Sequence, residues 1–233
     1  MPDQPRTFLP ILAAGALAPA ALLLYLAGVW TPTLRAAEPA AMAPEPAPVG
    51  VVAGGDTAVF AGGCFWGVEA VFQHLTGVSS AVSGYAGGTL ASPSYEEVST
   101  GRTGHAESVM VVYDPAQISY DQLLQVFFTV AHDPTQLDRQ GPDVGTQYRS
   151  VVFYRNDAQR EAAERYIAKL AAAKIYPGRI VTEVTALNAF HPAEDYHQDY
   201  LAHHPNQPYI VINDRPKLEE LRRRFPALYR AQG

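Results

Sequence analysis

The chain has 233 residues, of which 48% are hydrophobic, enough to bury the core of one ordinary domain rather than two. Its formal net charge of −6 argues against a dedicated nucleic-acid-binding protein, which needs a basic surface to displace counterions from phosphates. A single cysteine excludes an intramolecular disulfide framework and a cysteine-rich zinc site.

Residues 1–35 have the pattern of an export signal peptide or an N-terminal membrane anchor. Arg6 is followed by an apolar stretch, Phe8 to Trp30, that contains no charged residue. The stretch is long enough to span a bilayer, but Pro10 and Pro19 weaken it as a continuous helix. We expect cleavage, with retention as an anchor as the alternative. Either outcome predicts an exported protein, periplasmic or attached to the outer face of the inner membrane.

Residues 36–55 are built from alanine, proline and glycine, a composition that predicts an extended linker. The globular domain is therefore predicted to span residues 56–233.

Period-two patterns predict strands over Thr57–Ala61, Gly104–Tyr113, Gln147–Tyr154 and Arg179–Ala186. Helical spacing predicts helices over Phe65–Leu75, Ser119–Ala131, Ala158–Lys174, Ala193–His203 and Pro216–Arg224. Because strands and helices do not alternate strictly, we expect an α+β fold with a mixed β-sheet packed against helices.

The segment Gly62-Gly63-Cys64-Phe65-Trp66-Gly67 is the most informative in the chain. Two glycines after a strand allow a tight turn that places Cys64 at the first turn of a helix. There the unpaired amides and the helix dipole favour the thiolate, so we expect Cys64 to be a reactive nucleophile. The alternative is a buried structural cysteine, although such a residue does not need glycines beside it.

This segment resembles the signature of the type A peptide methionine sulfoxide reductases. The resemblance continues in order through five further blocks, which cover nearly all of the globular part. These blocks are Ser83-Gly84-Tyr85-Ala86-Gly87-Gly88, Gly104-His105-Ala106-Glu107, His132-Asp133-Pro134-Thr135, Gly145-Thr146-Gln147-Tyr148-Arg149-Ser150 and Ala193-Glu194-Asp195-Tyr196-His197-Gln198. The resemblance implies a ferredoxin-like core and thiol-dependent reduction of methionine S-sulfoxide, both free and peptide-bound, as repair of oxidised proteins.

By resemblance, Cys64 attacks the sulfoxide sulfur and Glu107 gives a proton to the departing oxygen. A carboxyl screened from water stays protonated near neutral pH and can fill that role, whereas the alternative for Glu107 is an ordinary surface carboxylate. Tyr85 and Tyr148 resemble the family tyrosines whose hydroxyls point at the sulfoxide oxygen. Tyrosine is abundant here, so either residue taken alone would be interpreted as a half-buried packing residue, and the assignment depends on its position in the motif.

The same resemblance implies substrate-binding roles for Phe65, Trp66, Asp143 and His197. The two aromatic rings would form the pocket for the S-methyl group, although both could be core residues at a helix start. Asp143 would lie near the backbone amide of the substrate, and His197 in the surroundings of the active site. His197 also belongs to a histidine-rich segment with His191, but the histidines lack helical ligand spacing, so we expect no metal site.

The sequence departs from many family members at its C-terminal end, where it has no additional cysteine. It therefore resembles the one-cysteine subgroup. The sulfenic acid left on Cys64 must be resolved by an external thiol, which we expect to be a thioredoxin-like protein, a glutaredoxin-like protein or a small thiol. We expect no bound cofactor, a monomer, and oxidised proteins and peptides as partners.

Two other functions compete with this interpretation. A cysteine-dependent acyl transferase or hydrolase would pair Cys64 with a histidine base such as His105 or His197. A redox sensor or a methionine-sulfoxide-binding module would let Cys64 be oxidised without turnover, but Glu107, Tyr85 and Tyr148 together argue against it, since a sensor needs no acid that protonates oxygen.

Overall fold

The computed structural model describes residues 55–231. The predicted signal or anchor over 1–35 and the linker up to residue 54 lie outside the described residues. Within the range 55–231, no helix is long and apolar enough to cross a membrane.

Six strands form one mixed sheet in the spatial order β7-β6-β1-β3-β2-β8. Neighbouring strands run antiparallel except β6 and β7, which are parallel. A separate short hairpin pairs β4 with β5. The bounds are β1 Asp56–Gly62, β2 Val78–Ala86, β3 Ala106–Tyr113, β4 Arg139–Gln140, β5 Asp143–Val144, β6 Ser150–Tyr154, β7 Glu183–Ala186 and β8 Phe190–Pro192.

The helices lie between these strands and follow the sheet at the C-terminal end. Their bounds are α1 Phe65–Gln73, α2 Tyr95–Val98, α3 Tyr120–Val126, α4 Asp157–Ala172, α5 Tyr200–His203 and α6 Arg215–Arg224. Wider π-helical turns continue α3 over Phe127–Ala131 and precede α6 over Ile210–Asp214. Side-chain caps fix the starts of α3 and α4, because Ser119 and Asn156 accept hydrogen bonds from the amides of Gln122 and Gln159.

The central part of the fold is a split βαβ arrangement. The order β6-β1-β3-β2, with α1 between β1 and β2 and α3 between β3 and β6, is that of a ferredoxin-like core. Phe60 of β1 anchors the packing, since its ring stacks on Phe72 of α1 at 5.1 Å and on Phe127 after α3 at 4.8 Å. These contacts fix α1, and hence its first turn, on the sheet. The predicted α+β fold with a mixed sheet is confirmed.

Several predicted elements have different bounds. The helix predicted over Ala193–His203 is two short pieces, Asp195–His197 and Tyr200–His203, separated by Asp199 in a left-handed conformation. The strand predicted over Arg179–Ala186 pairs only from Glu183 onward, because the residues before it make no ladder with β6. Strand β2, which lies between β3 and β8, and the short elements α2, β4, β5 and β8 were not predicted.

Candidate active site

Cys64 lies at the junction between β1 and α1, where it forms the N-cap of the helix. The turn depends on Gly63, which has a φ of +91°, and a Cβ there would meet the side chain of Gln140 at 2.5 Å. Cys64 itself is a free thiol with 8% exposure, and the nearby backbone N–H of Trp66 acts to lower its pKa. The two-glycine turn and the helix-start position predicted from the sequence are both present.

Glu107 of β3 faces the same helix start. Its Oε2 accepts a hydrogen bond from the backbone N–H of Phe65 at 3.1 Å, and the residue is only 2% exposed. Burial, with a smaller contribution from Asp143, raises the pKa of this carboxyl to about 8, although the Phe65 amide opposes the shift. At neutral pH Glu107 is therefore mostly protonated and can donate a proton.

A cavity of about 280 Å³ opens above Cys64. Six of the eight residues predicted for the site line it: Cys64, Phe65, Trp66, Glu107, Asp143 and Tyr148. Three residues that were not predicted also line it: Tyr95, Gln207 and Tyr209. The cavity thus combines an aromatic wall with a carboxyl, a thiol and three phenols, a mixture that suits a small group with one apolar end and one polar oxygen.

The assignment of Tyr85 to the oxygen-binding pair is corrected by the structure. Tyr85 is fully buried, opposite Glu107 in the neighbouring strand, and its hydroxyl donates to Glu194 at 2.8 Å instead of lining the cavity. Tyr95, the first residue of α2, lines the cavity beside Tyr148. Burial raises the pKa of both Tyr95 and Tyr148, so both remain neutral hydrogen-bond donors.

Glu194 holds the backbone of Tyr95 in the position from which its side chain lines the cavity. One carboxylate oxygen accepts from the backbone N–H of Tyr95 at 2.8 Å, and the other accepts from the Tyr85 hydroxyl. A single carboxylate therefore joins α2 to the buried strand β2. The pKa of Glu194 is lowered because these hydrogen bonds outweigh the effect of its partial burial.

His197 lies behind the cavity rather than in it, so its predicted contact with the substrate is also corrected. Its Nδ1 accepts from the indole N–H of Trp66 at 3.1 Å, which assigns the ring proton to Nε2. The ring packs against Tyr95 at 4.4 Å and Phe65 at 5.0 Å, and burial lowers its pKa. A neutral His197 thus fixes the orientation of the aromatic wall.

The far side of the cavity is polar. Asp143 of β5 lines the cavity and accepts a hydrogen bond from the Tyr209 hydroxyl at 2.5 Å. Gln207 lines the same side. These groups can hydrogen-bond a backbone amide, and the substrate contact predicted for Asp143 stays a prediction.

The predicted preference for a thiolate is not met in the resting site. Burial, followed by the negative charges of Glu107 and Asp214, raises the pKa of the Cys64 thiol well above its usual range. The amide of Trp66 and the ammonium of Lys217 act in the opposite direction but are outweighed. Helix-dipole reasoning failed here because the sequence does not reveal how completely the sulfur is buried.

The structure gives no support to the acyl-transfer hypothesis. Nδ1 of His105 accepts from the amide of Gly88 and its Nε2 lies 3.1 Å from the Leu90 carbonyl, while His197 is engaged with Trp66. Neither histidine lines the cavity that contains Cys64. In the part of the chain that the structure describes, no group of three or more histidine, cysteine or acidic side chains could hold a metal ion.

A buried thiol facing a protonated carboxyl and phenolic donors defines a cysteine-dependent oxidoreductase whose substrate carries a reducible oxygen. A family profile described as peptide methionine sulfoxide reductase matches residues 56–228. The peptide methionine sulfoxide reductase MsrA 2 of Mesorhizobium japonicum is 60% identical over 176 residues, which are 76% of this chain and 90% of that protein.

Solved structures agree. Methionine sulfoxide reductase A of Corynebacterium diphtheriae is 42% identical, with a TM-score of 0.59 over 70% of this chain and 82% of that one. Reduced Mxr1 from Saccharomyces cerevisiae is 33% identical, with a TM-score of 0.61 over 66% of this chain and 88% of that one. The chain belongs to the peptide methionine sulfoxide reductase family, type A, and it reduces methionine sulfoxide.

The geometry predicts which phenols act on the substrate. Tyr95→Phe and Tyr148→Phe each remove a donor from the cavity and should slow methionine formation in a single turnover by about 10- to 100-fold. Tyr85→Phe removes only the hydroxyl that bonds Glu194 and should change the rate by less than about threefold. Stopped-flow or quenched measurement with a methionine sulfoxide peptide checks this order. A Tyr85→Phe rate as low as that of Tyr148→Phe would restore the original assignment.

Proposed function

We propose that Cys64 reduces methionine S-sulfoxide by direct attack of its sulfur on the sulfoxide sulfur. Cys64 loses its thiol proton as its sulfur attacks, Glu107 gives its own proton to the sulfoxide oxygen and takes up the thiol proton in exchange, and that oxygen moves to the cysteine as the S–O bond to the substrate breaks. The products are methionine and a sulfenic acid on Cys64, so the substrate sulfur gains the two electrons that the cysteine sulfur loses. The observation that carries this proposal is the buried, protonated Glu107 facing the same helix start as the thiol.

The rest of the cavity supports the same orientation of the substrate. Tyr95 and Tyr148 would donate hydrogen bonds to the oxygen as it gains negative character. Phe65 and Trp66 would receive the S-methyl group, because sulfur and methyl groups both pack well on aromatic rings. Asp143 would accept a hydrogen bond from a backbone amide of the substrate, so that peptides bind as well as free methionine sulfoxide.

Return of Cys64 to the thiol requires two external thiol groups. The first attacks the sulfenic acid and releases water, and the second reduces the resulting mixed disulfide to regenerate Cys64 and an external disulfide. Because Cys64 is the only cysteine of the sequence, both thiols come from a reductant, either a thioredoxin-like or glutaredoxin-like protein or a small thiol. We propose oxidised proteins as the physiological substrates.

One single-turnover experiment tests the chemistry. The reduced enzyme is mixed with an excess of a methionine S-sulfoxide peptide without added thiol, and methionine and free thiol are both counted. We expect one methionine per enzyme and loss of the Cys64 thiol, with the R epimer inert. Formation of no methionine with the thiol intact would contradict the proposal, and Cys64→Ser is the control that should form none.

A second prediction concerns pH. Since the pKa of Glu107 is raised to about 8, the acid is available below that pH and is lost as the pH rises through it. The wild-type single-turnover rate should therefore fall above about pH 8. Glu107→Gln should be slower by about 10²- to 10⁴-fold below pH 7 and should lack this decline. A variant that retains the wild-type pH profile would remove Glu107 from the proton transfer.

We also propose that the protein is exported and works as a monomer, with its N-terminal segment either cleaved or kept as an anchor. The apolar stretch Phe8–Trp30 and the linker after it support this location. With a C-terminal tag on the full chain in a Gram-negative host, the cleaved form should be released with the periplasmic fraction, and the anchored form should stay on spheroplasts, where added protease digests the tag. Mass spectrometry of the purified protein then distinguishes the cleaved from the anchored form. A protected tag in the soluble cytoplasmic fraction would contradict export.

A further inference from the structure

A buried ion pair lies against the helix that carries Cys64. Asp214, the last residue of the π-helical turn before α6, is fully buried, and its Oδ1 lies 3.1 Å from Nζ of Lys217. The Lys217 side chain is 19% exposed. Taking two charges out of water is costly, and such pairs are often no more stabilising than an apolar replacement. Stability alone therefore does not account for this buried pair, and we consider a functional role for it.

The position of the pair relative to Cys64 is set by Gly67, which lies three residues further along α1. A Cβ on Gly67 would lie 2.0 Å from Oδ1 of Asp214 and 2.7 Å from Nζ of Lys217. Both charges are thus in direct contact with the first turn of the helix, which a larger residue at position 67 would prevent. The second carboxylate oxygen of Asp214, Oδ2, is buried and has no hydrogen-bond partner within the described residues.

Several elements direct polar groups at Cys64. Glu107 approaches from β3 and Asp214 from the π-helical turn, and both disfavour a negative charge on the sulfur. The phenols of Tyr95, Tyr148 and Tyr209 also face it and are neutral, since burial raises the pKa of each. Lys217 of α6 is a cationic side chain that favours the thiolate.

We propose that Lys217 is a positioning residue for the nucleophile: its ammonium group, held against α1 by Asp214, stabilises the charge that develops on Cys64 when the thiol loses its proton. Asp214 has two opposed effects, because it holds the ammonium in place and its own charge destabilises the thiolate. The inference rests on Cys64 being the nucleophile of the proposed function. It deepens that function by assigning part of the activation of Cys64 to α6.

The test measures ionisation of Cys64 directly. Because the chain has one cysteine, the rate of alkylation by iodoacetamide from pH 6 to 11 reports only on this thiol. Lys217→Met should raise the apparent pKa of Cys64 by about one unit, and Lys217→Arg should restore it. Asp214→Asn should lower it, because it removes a negative charge and keeps a hydrogen-bond acceptor. Lys169→Met, on the exposed face of α4, is the matched control and should have no effect.

The opposite directions of the two expected shifts in the apparent pKa of Cys64 distinguish an electrostatic role from a structural one. Both Lys217→Met and Asp214→Asn break the buried pair and should lower thermal stability, whereas only an electrostatic role moves the apparent pKa in opposite directions. An unchanged apparent pKa of Cys64 in Lys217→Met would overturn the proposal. If Lys217→Met does not fold, as judged by circular dichroism, Lys217→Gln takes its place and must raise the apparent pKa of Cys64 in the same way. Alkylation needs no sulfoxide, so failure of the reductase assay and failure of this inference are distinguishable.

Discussion

The hydrogen bond from the Phe65 amide to the Glu107 carboxyl joins helix α1 to strand β3 at the centre of the site. It satisfies one of the amides that a helix start leaves without a partner, so the same turn fixes the acid and the nucleophile. The burial that shelters this bond raises the pKa of Glu107 and of Cys64. The resting cavity therefore holds a neutral acid and a neutral thiol, and this environment suits an uncharged sulfoxide. The carboxyl proton and the thiol proton both lie close to the atoms that exchange them.

The elements with one clear buried face were predictable from the sequence. Helix α4 and strand β1 have regular apolar spacing and were predicted to within a few residues. Strand β2 was missed because serine and glycine interrupt its pattern at Ser79, Ser80, Ser83 and Gly84. It is a strand because β3 pairs with it on one side and β8 on the other, and those contacts come from distant parts of the chain.

Ordered motifs predicted most of the site, and the two errors have a shared cause. Tyr85 belongs to a motif and lies opposite Glu107, yet its hydroxyl is directed to Glu194. Tyr95 lies in a helix of four residues, and Glu194, 99 residues later, holds its backbone. His197 acts on Trp66 across 131 residues without reaching the cavity. A motif identifies residues that gather in one place, but which of them faces the substrate is decided by long-range contacts that a linear pattern does not contain.

The modest volume of the cavity, about 280 Å³, has a consequence for the choice of damaged residues. Such a space encloses the tip of one side chain and leaves the flanking polypeptide outside. Discrimination among clients would then come from how far a damaged side chain can extend from its own fold, with little dependence on neighbouring amino acids. Repair would proceed fastest at frayed ends and mobile loops, and a sulfoxide inside a packed core would wait for local unfolding.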